Sequence, residues 1–146
     1  MPHVSLTRRY RFSASHRLHT PLLDEARNVE VYGKCNNPYG HGHDYVLEVT
    51  IAGEPGARSG RLMPLRDLDE FVERVILKAA GHRNLNTEIA EFATLVPTTE
   101  NLAGVVAARL AEAWPATFAA QPARLEMVRI HETKRNIFEV RVNPAE

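Results

Sequence analysis

His41 and His43 stand two residues apart, and the segment that follows, Tyr45 to Ile51, has the composition of a β-strand. On a strand, positions i and i+2 point to one face, so both imidazoles can reach a single point. Gly42 between them removes the Cβ that would crowd a close-approaching ion or ligand. Upstream, Phe12-Ser-Ala-Ser-His16 offers a third imidazole, and Cys35 places a thiol six residues before His41. Three histidines leave the fourth position of a tetrahedral zinc ion open, the layout of a catalytic rather than a structural site. The lone cysteine is then a candidate base or nucleophile beside the metal. This arrangement points to an enzyme.

At 146 residues the chain is long enough for one domain around one hydrophobic core, taken here as residues 1–146. Lys+Arg and Asp+Glu both number 18, so no global field argues for a nucleic-acid or anionic-membrane partner. An anionic substrate must therefore be held by local basic groups. The N-terminal Met-Pro-His-Val-Ser-Leu carries no long apolar run, which argues against a signal peptide or a membrane span. A single cysteine cannot form an intrachain disulfide and fits a reducing compartment, so the expected location is the cytoplasm.

Val4 to Ser15 alternates apolar and polar residues as a half-buried strand does, and Asp44 to Gly53 reads as a second strand. Between them, Leu18 to Asn37 mixes Pro, Asp, Asn and Gly and reads as a long functional loop. Leu65 to Ala80 has apolar residues at 65, 68, 71, 72, 75, 76 and 79, which is helical spacing, with Gly81 as a stop. A second helix starts at Pro97-Thr98-Thr99-Glu100-Asn101, capped by Thr98 or Thr99, and Pro115 is expected beyond its end. Leu125 to Glu132 and Ile137 to Val142 read as strands joined across Lys134-Arg135-Asn136. The order ββααββ is that of an α+β domain: a four-stranded antiparallel sheet with two helices on one face. The other face would expose apolar surface unless a partner covers it.

Six segments in this order resemble the 6-pyruvoyltetrahydropterin synthase and 6-carboxytetrahydropterin synthase family of the tunnelling fold. They are Phe12-Ser-Ala-Ser-His-Arg-Leu18, Gly33-Lys-Cys-Asn-Asn-Pro38, Gly40-His-Gly-His43, His82-Arg-Asn-Leu85, Thr98-Thr-Glu-Asn101 and Glu132-Thr-Lys-Arg-Asn136. The resemblance implies a zinc-dependent lyase that converts 7,8-dihydroneopterin triphosphate to 6-pyruvoyltetrahydropterin, releasing triphosphate without an external reductant. It implies zinc held by His16, His41 and His43, and a catalytic set of Cys35, His82 and Glu132. Glu132 would anchor the pterin ring, with Thr98 and Thr99 contacting it. Lys34, Arg17, Lys134 and Arg135 are the basic residues available to the triphosphate, and Lys34 and the metal would favour the Cys35 thiolate. The resemblance further implies a homohexamer of two trimers, each trimer a twelve-stranded barrel. Active sites would then lie at subunit interfaces, with Glu132 of one subunit near the metal loop of another.

The chain departs from that pattern at Gly81, where the family commonly has an acidic residue before the relay histidine. Glu88 or Asp69 could substitute, and an aspartate placed at 81 would raise the imidazole pKa of His82. Five residues separate Cys35 from His-Gly-His, as in the pyruvoyl-forming branch; the carboxy-forming branch would place its cysteine at the position of Asn37. A carboxy-forming enzyme, an aldolase-like lyase acting on the pterin side chain, and a pterin-binding protein with weak turnover are the alternatives. Taken singly, the residues have ordinary readings: Cys35 a small buried hydrophobe, His82 a cation at a helix end, Glu132 an exposed strand-end charge. His3, His19 and His131 read as surface residues.

Overall fold

The computed structural model describes residues 2–142; the two ends of the expected 1–146 span lie outside them. Strand β1 (Val4–His16) and strand β2 (His41–Gly53) pair antiparallel without a break from Val4 opposite Gly53 to His16 opposite His41. Strand β4 (Arg124–His131) pairs antiparallel with β2, and β5 (Ile137–Arg141) pairs antiparallel with β4. A two-residue strand, β3 (Arg83–Asn84), adds in parallel to the outer edge of β1 at Ala14 and Ser15. The sheet order is therefore β3-β1-β2-β4-β5, five strands where the sequence pattern gave four.

Helix α1 (Glu25–Tyr32) corrects the expectation of a structureless loop over 18–37. Asp24 caps it by accepting from the Arg27 backbone N–H at 2.8 Å, and a 3-10 turn, Gly33–Asn36, follows. Its only buried residue is Asn28, whose amide bonds the backbone of Thr20, Leu23 and Asp24. With no apolar stripe, the helix had no periodicity to read.

The expected helix over 65–80 forms, and it is α2 here: Leu65–Val72, a π turn at Glu73–Leu77, and a last turn at Lys78–Ala80. A short α3 (Leu85–Glu88) follows β3, and α4 (Thr99–Phe118) follows a Thr98 cap that accepts from the Asn101 N–H at 3.2 Å. Pro115 lies inside α4 rather than beyond it. The last turn is held by packing: Trp114 and Phe118 meet Phe71 of α2 edge-on at centroid distances of 5.5 and 5.0 Å and lie 4.6 Å from each other, which offsets the bond proline removes.

The core lies between the helices and one sheet face, built from Phe12, Tyr45, Leu47, Val49, Val128 and Ile130 against Leu68, Phe71, Leu102, Val106 and Leu110. Alternation along each strand sends the other set of residues to the far face: Thr7, Arg9 and Arg11; Val46, Glu48 and Thr50; Met127, Arg129 and His131; Ile137, Glu139 and Arg141. That face is mostly polar and is cross-linked. Glu48 accepts from Arg9 at 3.1 Å and bonds His131 Nε2 at 2.7 Å, and the Thr7 and Thr50 hydroxyls meet at 2.7 Å. The expected apolar second face is thus not there, and His131 is a partner of a buried carboxylate rather than a free surface residue.

Candidate metal centre and active site

The β1–β2 register sets His16 opposite His41 and Ala14 opposite His43. Directly opposed residues share a sheet face, so all three imidazoles point to the helix-covered side, where Phe12 stacks on Tyr45. His16 Nε2 and His43 Nε2 approach to 3.1 Å, and Cys35 Sγ lies 3.0 Å from His41 Nε2. The ligand atoms of His16, Cys35, His41 and His43 all fall within 4.8 Å of one another. Such a group, three nitrogens and one sulfur, could hold a metal ion, and the donor set is one that zinc accepts. His16 Nδ1 lies 2.8 Å from the Pro97 carbonyl oxygen, so Nδ1–H donates there and Nε2 faces the cluster with its lone pair free.

Backbone bonds hold these groups in place. The Leu18 N–H donates to the Cys35 carbonyl at 2.6 Å, which fixes the thiol-bearing turn against the end of β1. Gly40 turns the chain into β2 at φ 70°, and a Cβ there would sit 2.8 Å from the His16 carbonyl oxygen, so only glycine fits. Gly42 does not serve the purpose expected of it: it is exposed on the opposite face, with nothing closer than the Ala14 oxygen at 4.0 Å.

Burial pushes His16 down to about 4, with His43 and His41 adding to the shift; burial and then His41 lower His43 as well. Both rings are therefore neutral near pH 7, the form that ligates metal. Burial, followed by the negative charge of Glu132, pushes the Cys35 thiol up from its ordinary value.

Glu132 lies 3.8 Å from His43 Nε2 of its own chain and is largely shielded from solvent. The expectation that it reaches the metal loop of another subunit gives way to this intrachain placement. It follows from pairing: β4 runs beside β2, so the residue after His131 lands next to the head of β2. Tyr45 Oη and Thr99 Oγ1 are also buried there, and neither makes a hydrogen bond of good geometry. Thr98 is engaged as the cap of α4.

His82 stands apart from this group. It lines a different cleft with Ser13, Ala14, Ser15, Gly42, His43, Asp44 and Arg83, and Cys35 is not among the lining residues. Of the proposed substitutes for an acid at 81, Glu88 accepts from the Asn84 N–H at 2.6 Å, and Asp69 is held by Arg8 at 2.6 Å and Tyr10 at 2.7 Å. Lys34 lines an open groove beside His41 with Val29, Gly33, Asn36, Asn37 and Pro38. Arg17 donates to the Asn36 carbonyl, and Lys134 and Arg135 are exposed in the β4–β5 turn. Sequence reasoning missed Tyr45 and the Pro97 carbonyl; Tyr45 stands two residues beyond His43 on the same strand face, which was the available signal.

The α+β domain thus gathers three imidazoles, a thiol and a shielded carboxylate into one group that could hold a metal ion. The 6-pyruvoyl tetrahydropterin synthase family model matches residues 5–143, and the chain belongs to that family and is an enzyme of the lyase class. It is similar to 6-pyruvoyl tetrahydrobiopterin synthase of Poecilia reticulata, 46% identical over 132 residues, 90% of this chain and 86% of that one. The corresponding Homo sapiens protein is 39% identical over 134 residues, 92% of this chain and 88% of its own. The solved structure of Caenorhabditis elegans 6-pyruvoyl tetrahydropterin synthase superposes with a TM-score of 0.86 at 39% identity, covering 97% of each chain. The fold is the tunnelling fold of these proteins.

Proposed function

We propose that the protein converts 7,8-dihydroneopterin triphosphate to 6-pyruvoyltetrahydropterin with release of triphosphate, using zinc held by His16, His41 and His43. The observation that carries this reading is the convergence of His16, His41, His43, Cys35 and Glu132 at the ends of β1, β2 and β4. Bound there, zinc supplies a Lewis acid that polarises hydroxyl oxygens on the substrate side chain and acidifies the adjacent C–H. Glu132 accepts paired hydrogen bonds from the 2-amino group and ring N–H of the pterin, a planar match to a carboxylate. The Thr99 hydroxyl, buried and without a bond of its own, is placed to complete the ring's contacts, and Thr98 lies beside it at the head of α4.

Cys35 removes the carbon-bound proton. Burial and the Glu132 charge push its thiol up, so a neighbouring positive charge is needed to expose the thiolate. His82 carries the proton onward; because it lines a cleft without its own Cys35, it serves the Cys35 of a neighbouring copy. This supports the assembly of three sheets edge to edge into a twelve-stranded barrel and of two such trimers into a hexamer. The reason for association is the open edge of β5 and that of β1 outside the two residues β3 covers, since the far sheet face is mostly polar. Lys34, in the groove beside His41, is the basic residue best placed for the triphosphate. No helix among the described residues is long and apolar enough to cross a membrane, and we place the enzyme in the cytoplasm.

Mass spectrometry of the products from dihydroneopterin triphosphate tests the reading. A 6-pyruvoyltetrahydropterin mass with stoichiometric triphosphate is expected. A 6-carboxytetrahydropterin or a 6-hydroxymethyl product would assign the other branch or an aldolase-like reaction, and unchanged substrate would leave only binding.

A further inference from the structure

We propose that Asn36 is a positioning residue for the Cys35 thiol, locking the Gly33–Asn36 turn to the two residues that follow His16; this rests on the proton-abstracting role given to Cys35 above. A group that removes a carbon-bound proton must be held in place, since a displacement of about 1 Å can cost about 10²-fold in rate. Cys35 sits on a four-residue 3-10 turn, with no strand ladder or long helix of its own to fix it. The hold must come from side chains.

The β1–β2 ladder ends at His16 opposite His41, so the backbone groups of Arg17 and Leu18 need partners from outside it. Two asparagines and one carbonyl satisfy all four. Asn86 of α3 takes both groups of Arg17: its Oδ1 accepts the N–H at 2.7 Å and its Nδ2 donates to the carbonyl at 2.8 Å. The Leu18 N–H donates to the Cys35 carbonyl at 2.6 Å, and the Leu18 carbonyl accepts from Asn36 Nδ2 at 2.8 Å. Arg17 Nε donates back across the same seam to the Asn36 carbonyl at 3.1 Å. Cys35 and Asn36 are thus stitched to Arg17 and Leu18 by three bonds, and Asn86 ties that segment to α3. The seam leaves Cys35 Sγ 3.0 Å from His41 Nε2. Asn36 is buried, as is its bond to Leu18, so water does not replace that bond when the amide is removed. The neighbouring Asn37 has another task. It is exposed, its Oδ1 accepts the Tyr39 N–H at 3.1 Å and its carbonyl the Gly40 N–H at 2.8 Å, which turns the chain into β2.

Asn36→Ala in the zinc-loaded, full-length protein tests this. By NMR hydrogen exchange the Leu18 amide should be well protected in the parent and should exchange about tenfold faster in the variant, the effect of one lost buried hydrogen bond on local opening. The Cys35 thiol should react with iodoacetamide faster by a similar factor. Turnover should show a split: kcat falls by up to about 10²-fold while KM and zinc content hold, because Glu132, Thr99 and the three imidazoles are untouched. Asn36→Ser, which keeps a shorter hydroxyl donor, should fall between the two and serves where the alanine variant does not fold. Unchanged exchange and alkylation in a folded variant, or a fall in kcat accompanied by loss of zinc, overturns the proposal. So does rapid Leu18 exchange in the parent, whatever the variants do. Exchange and alkylation are read without substrate, so failure of the parent to turn over dihydroneopterin triphosphate would remove the proposed function and leave these shifts standing. Normal parent turnover with no shift in the variants would remove only Asn36.

Discussion

Replacing Gly81 by alanine tests how tightly the end of α2 is packed. The backbone there (φ −62°, ψ 133°) is open to any residue, so the cost is steric, not conformational. An ideal Cβ falls 2.5 Å from Leu77 O, inside the 3.0 Å limit that real Cβ contacts respect, and the same oxygen accepts the Gly81 N–H at 2.9 Å. Relieving the overlap must push the chain off the helix end and stretch that bond. Overpacking of this kind costs about 1–3 kcal/mol, and a weakened backbone hydrogen bond adds up to about 1 kcal/mol. Restricting the unfolded chain by Gly→Ala returns about 0.5–1 kcal/mol. The net expectation is a destabilisation of about 2 kcal/mol, or a fall in Tm of about 4–8 °C for a domain of this size. Thermal and urea unfolding followed by circular dichroism, at one fixed protomer concentration, measures it. Gly81→Asp should lose at least as much stability and should not simply install a relay acid, contrary to what the sequence suggests. An unchanged or raised Tm for Gly81→Ala would refute the packing argument.

His43→Ala should lose most of the bound zinc by metal analysis, since it removes one of three imidazoles from the cluster; full occupancy would take His43 out of the ligand set. Cys35→Ala should keep about one zinc per chain and lose most turnover; a variant stripped of metal would instead make the thiol, 3.0 Å from His41, a ligand. Glu91, held below the usual carboxylate range by Arg109 at 2.6 Å, should contribute stability above its unfolded value of 4.5 that disappears as pH falls through its lower folded value. Acid unfolding of Glu91→Gln against the parent reads this as a gap of on the order of 0.5–1 kcal/mol at pH 7 that closes as pH falls through the lowered folded value; a gap constant with pH would rule it out. Light scattering in dilute buffer should give a mass of about six chains, the closure expected of edge-to-edge sheets; a stable, fully active monomer would contradict the shared site.

Patterns that depend on neighbours along the chain were open to reading. Alternation at His41 and His43 put both rings on one face, the 3.6-residue period fixed the helix over 65–80, and the Thr98 cap marked the start of α4. Relations across the chain were not. That His16 meets His41 is decided by a ladder thirteen residues long, and that Glu132 lies beside His43 of its own chain is decided by where β4 docks on β2. Helix α1 escaped because a buried Asn28, with no apolar stripe, anchors it. Pro115 was misplaced because aromatic packing outweighs one lost backbone bond. The chain's own residue order thus determined which side chains could ligate, donate or cap, since those are local properties of spacing and type. Only the tertiary structure decided which of them share a cleft, because strand register and the docking of β4 on β2 arise from packing the whole domain at once.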